Sequence, residues 1–69
     1  MTSAGTPELD PVDEHLLRLL SEGATLEVAA RRAGLAERTA RRRLRSLADA
    51  VGVDTTMQLV VHFVRAGVI

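Results

Sequence analysis

Five arginines fall close together at Arg38, Arg41, Arg42, Arg43 and Arg45, and their spacing points to chemistry. On an α-helix, residues three and four apart share a side, so Arg38, Arg41, Arg42 and Arg45 would line one face with Arg43 at its flank. A guanidinium is a planar, permanently charged fork that pairs with phosphate and can donate two hydrogen bonds to O6 and N7 of guanine. A helix carrying a row of them can both neutralise DNA backbone and read base edges. The competing reading is a solvated charged face held by pairs such as Arg45 with Asp49, one turn on. Few acids are placed to do so: residues 31–45 hold seven arginines against Glu37 alone.

Other chemistries find little support. His15 and His62 are the only histidines, fall on separate predicted helices and have no cysteine or carboxylate cluster beside them, so neither a metal site nor a general base is assembled. Ser21 and Ser46 read as helix-surface serines, and no glycine-rich phosphate loop is present. No enzymatic activity and no cofactor are expected. The chain has no cysteine, which rules out a disulfide framework and a thiol nucleophile. It has one aromatic side chain of the Phe, Tyr and Trp type, Phe63, too few to stack the bases of single-stranded nucleic acid. With no signal-like leader and no long apolar run, a cytoplasmic protein with no membrane partner is expected.

The formal net charge is zero, but the charges are segregated. Residues 1–30 carry six acids against Arg18 alone, so a positive field concentrated on one element survives a neutral total. At 69 residues and 46% hydrophobic content, there is room for one small core only.

The elements that must position the arginines are helical throughout, so the expected fold class is all-α: a compact four-helix domain containing a helix-turn-helix. Residues 1–8 lack periodicity and read as a leader or linker remnant, leaving 9–69 as the domain. Asp10-Pro11 starts the first helix, about 11–21, with Asp10 as N-cap and Leu16, Leu17 and Leu20 as its apolar stripe. Thr25 caps a second helix, about 26–33, that ends at Gly34. Ala30 is small where two helices would cross closely, and Gly34 suits a tight turn. The third helix, about 37–51, should face the core with Ala40, Leu44, Leu47 and Val51. The fourth, about 55–66, has two apolar stripes: Leu59 with Phe63, and Met57, Val61, Val64 and Val68. An exposed second stripe marks a partner surface. The run 59–64 also has strand propensity.

In this order and register the sequence resembles the LuxR/GerE-type DNA-binding domain of bacterial transcription regulators. The matching residues are Leu9-x-Pro11, Leu17-x-Leu19-Leu20-x-Glu22-Gly23, Ala30, Gly34-Leu35, Glu37-x-Thr39, Leu44, Gly52-Val53, Gln58 and Gly67. The resemblance implies that the third helix enters the major groove of double-stranded DNA. It implies base contacts from Arg41, Arg42 and Arg45, and phosphate contacts from Thr25, Arg38 and Thr39. A phosphate contact from Arg43 is also implied, at a position where this chain departs from the histidine that the family commonly has. The fourth helix would pair two copies on a two-fold symmetric site, so Met57, Val61 and Val64 become the expected homodimer interface, with RNA polymerase a further partner.

The chain departs from the family in two ways. Glu27 and Asp54 occupy positions that are commonly basic, which would trim backbone contacts. Ala29 and Ala33 stand where the family has large aliphatics, while Leu59 and Phe63 stand where it has small residues, suggesting a volume exchange between helices two and four. The alternative to DNA reading is a helix-turn-helix acting through protein contact, as a sigma-factor region 4-like, adaptor or dimerisation module.

Overall fold

Four helices account for the regular structure of residues 9–69, the part described by the computed structural model: α1 (Pro11–Ser21), α2 (Leu26–Arg32), α3 (Glu37–Val51) and α4 (Thr56–Arg65). The expected leader, 1–8, lies outside these residues. The all-α fold is as expected, with α2 and α4 each a residue shorter than expected at their C-terminal ends and α4 beginning one residue later. No strand occurs among the described residues.

Local chemistry explains the starts. Asp10 has extended backbone angles and accepts the Val12 N–H at 2.8 Å, with Pro11 supplying a first position that needs no donor. Thr25 caps α2 by accepting from Val28 N–H at 3.2 Å. At α4 the cap is reciprocal. Thr55 Oγ1 accepts from Gln58 N–H at 3.1 Å, while Gln58 Oε1 accepts from the Thr55 and Asp54 N–H groups at 3.1 and 2.9 Å. That box commits 55–58 to a helix start, which is how local capping overrides the strand propensity of the valine run.

The turn between α2 and α3 depends on Gly34, whose φ is +77°. A Cβ built there would meet nothing within 4 Å, so the demand for glycine comes from the left-handed backbone and not from crowding. In that conformation Leu35 N–H reaches back to Ala30 O at 2.9 Å and Gly34 N–H to Arg31 O at 3.1 Å, closing the orphan carbonyls of α2. Leu35 is thereby turned against the core.

The core combines Leu16, Leu17 and Leu19 of α1, Ala29 and Ala30 of α2, Ala40, Leu44 and Ala48 of α3, and Leu59 and Phe63 of α4. Two expected stripes shift. On α1, Leu19 is buried and Leu20 only half-buried, because α1 packs against all three other helices and needs a broader apolar face than a single stripe. On α3, Ala48 is buried whereas Leu47 and Val51 are half-buried. A methyl disappears where helices approach most closely, while larger side chains reach past the edge.

The expected exchange of volume would involve α2 and α4. No Cα atoms of these two helices come within 8 Å of each other, yet Ala29, Leu59 and Phe63 belong to one buried cluster. Any compensation between them would act through that shared core. No helix among the described residues is long and apolar enough to cross a membrane.

Candidate nucleic-acid interface

The arginine row is built by the two-sidedness of α3. Ala40, Leu44 and Ala48, spaced by four, seat one side in the core, and Arg38, Arg41, Arg42 and Arg45 all emerge exposed from the rest of the helix surface. Three of the four, Arg38, Arg42 and Arg45, make no ion pair among the described residues. The Arg45–Asp49 pairing weighed from the sequence does not form. Arg41 does pair, with Glu37 one turn back at 2.8 Å, but both side chains are well exposed, at 62% and 47%. A surface pair of this kind is worth about 0.3–0.5 kcal/mol, so a phosphate or a guanine can displace Glu37 at little cost.

Arg43 departs from the expected placement. Its Nε donates to Asp13 Oδ1 at 2.7 Å, and a terminal nitrogen sits 3.6 Å from Asp10 Oδ1. The guanidinium is thus engaged by α1 and is not offered outward with the others. Asp13, through its hydrogen bond and its charge, holds Arg43 above its ordinary pKa, which changes nothing about its charge state near neutrality. The partner acids Asp13 and Asp10 lie thirty and thirty-three residues away in sequence, and only the packing of α1 on α3 brings them together with Arg43. The one available signal was that Asp10 and Asp13 both fall in the opening turn of a helix whose remaining face is leucine.

The expected phosphate-contacting threonines are differently placed. Thr25 is exposed at the start of α2 and already accepts the Val28 N–H, which leaves its O–H free to donate to an anion. Thr39 is half-buried on α3, close to the core side, so its reach is shorter than that of the arginines. Arg41 and Arg45 also line a groove between α3 and the start of α4, together with Asp49 of α3 and with Asp54 and Thr55 just before α4. Arg31 and Arg32, in the last turn of α2, are exposed as well.

On α4, Leu59 and Phe63 are fully buried, while Met57, Val61 and Val64 are 75%, 41% and 47% exposed. The two expected stripes therefore separate, one inward and one outward. Val68 does not share the helical stripe, since α4 ends at Arg65 and Val68 is half-buried against the core. Met57 and Val61 form an apolar groove with Val53, His62, Arg65 and Ala66. The side chain of Gln58 is consumed by the capping box.

No known protein family, curated protein or solved structure matches the chain.

Proposed function

We propose that the domain binds double-stranded DNA sequence-specifically, as a bacterial transcription regulator of the LuxR/GerE type, with α2, the Gly34 turn and α3 as a helix-turn-helix. The observation that carries this reading is the exposed row of Arg38, Arg41, Arg42 and Arg45 on a helix whose opposite side is anchored by Ala40, Leu44 and Ala48. Arg41, Arg42 and Arg45 are assigned to bases, and Arg38, Thr39 and Thr25 to phosphates. Duplex affinity should fall steeply with salt, each neutralised phosphate adding about −0.9 to the slope of log affinity against log salt. Anisotropy titrations at two salt concentrations check this. Salt-insensitive binding, or equal affinity for every duplex, would contradict it and favour a module acting through protein contact.

A phosphate contact carries no sequence information. Thr39→Ala should therefore weaken binding to preferred and random duplexes by the same factor. A loss confined to one base preference would move Thr39 into the base-reading set.

The outward stripe of α4 supports a second copy of the chain as partner on a two-fold symmetric site, since a symmetric dimer needs one self-complementary patch. A guanidinium at its centre would meet its own counterpart across the axis. Val61→Arg should abolish cooperative binding to paired half-sites while the monomer keeps its fold and its affinity for a single half-site. Unchanged cooperativity in gel-shift titrations would remove Met57, Val61 and Val64 from the interface.

A further inference from the structure

Among the described residues, only the contacts of Arg43 with Asp13 and Asp10 form ion pairs between helices; Arg18–Glu14 and Arg41–Glu37 each stay within one. Asp13 is buried, and its carboxylate accepts a hydrogen bond from Arg43 Nε, the partner that a buried carboxylate requires. The Asp10 oxygen facing Arg43 is the same atom that caps α1 by accepting the Val12 N–H. Arg43 is thus fastened to the first turn of α1 at two points. α3 packs closely on α2 and α4 but approaches α1 more sparsely than any other packed pair of helices approach each other. Of the contacts that fix how α3 is rolled about its axis, the one with α1 therefore depends most on the Arg43 link. Roll matters on a base-reading helix, because successive residues point about 100° apart, and a modest rotation changes which fork faces outward.

Resting on the reading of α3 as a DNA-recognition helix, we infer that Arg43 is a positioning residue: held by Asp13 and Asp10, it sets the rotation of α3 against α1, and so decides which guanidiniums meet base edges. It does this in place of the phosphate contact that the resemblance implies for it. Its planar fork suits the task, since two carboxylates in different directions constrain a rigid plane better than they constrain a point charge.

Asp13→Asn tests this without touching any arginine of α3. Three quantities are measured on the full chain: the ratio of affinities for preferred and random duplex, the salt slope, and the orientation of α3 relative to α1 from residual dipolar couplings without DNA. The affinity ratio should fall about tenfold, the equivalent of one lost bidentate base contact. The orientation of α3 should change, the salt slope should hold, and Asp13→Glu should restore part of the ratio. Arg43→Lys, which keeps the charge and loses the fork, should behave like Asp13→Asn and serves in its place if that variant fails to fold.

An unchanged ratio with a slope steeper by about 0.9 would overturn the inference, making Arg43 a phosphate contact that Asp13 holds back. Ratio, slope and orientation all unchanged would overturn it too, reducing the pair to fold stability alone. If the unaltered chain shows no duplex preference, the DNA reading fails separately. The dipolar couplings then still decide whether Arg43 sets the rotation, and an α3 that keeps its place in Asp13→Asn and Arg43→Lys contradicts it.

Discussion

Replacing Phe63 with alanine should destabilise the domain by ~3–5 kcal/mol. Phe63 is the largest fully buried side chain, and four of the other core residues, Ala29, Ala30, Ala40 and Ala48, are alanines. Alanines let helices come close but cannot extend into a void. The space left by the ring would therefore remain largely empty, and the cost should include the cavity as well as the lost transfer free energy. Its neighbour His62 would also lose an edge-on ring contact, at a centroid distance of 5.1 Å. For so small a domain, whose whole stability is about 5 kcal/mol, such a loss amounts to unfolding near physiological temperature. Urea or thermal melts followed by circular dichroism measure it. A variant that melts within a few degrees of the parent would mean that the core can close around the gap, and that the large residues of α4 do not compensate for small ones elsewhere.

Removing Arg41 or Arg45 should cost ~1–3 kcal/mol in binding a preferred duplex, concentrated at one base pair for each. The row from Arg38 to Arg45 extends about 10 Å along the helix axis, commensurate with about three base pairs at 3.4 Å each. Each fork can then address a different pair. For Arg41 the measured loss should be slightly smaller than its contact is worth, because the free protein also gives up the Glu37 pair at 2.8 Å. Arg45 has no such partner among the described residues. Binding measured against a panel of single-base variants separates the two roles: relaxed preference at one position supports base reading, whereas a uniform loss for Arg41→Ala and Arg45→Ala alike would make both phosphate contacts.

Features set by neighbours in sequence were legible before the structure. Asp10-Pro11 and Thr25 mark helix starts because a cap acts within three residues, and Gly34 marks a stop because a left-handed turn is a property of single residues. The inward and outward stripes of α4 were legible for the same reason, through spacing alone. Features that depend on how many helices touch a given face were less legible. Nothing in the pattern of α1 announced that it would pack against three neighbours and bury Leu19 in preference to Leu20. Helical spacing already sets Arg43 at the flank of the row that holds Arg42, but no local rule says which acids it would meet there. The two arginines are adjacent in one basic run, and only the docking of α1 turns one toward Asp13 and leaves the other in solvent. Counting acids within the run fails for Arg43 alone, since its carboxylates come from the first turn and N-cap of α1, while Arg38, Arg42 and Arg45 make no ion pair among the described residues.

Selection of binding sites from random duplex with the purified chain, followed by affinity measurement on the enriched sequences at two salt concentrations, tests α3 as a base-reading helix most directly. A short consensus with roughly two-fold symmetry should emerge, bound at least about a thousandfold more tightly than random duplex, with G·C pairs at the positions that Arg41→Ala and Arg45→Ala relax. No enrichment after repeated rounds, with the chain folded and its arginines intact, would contradict it.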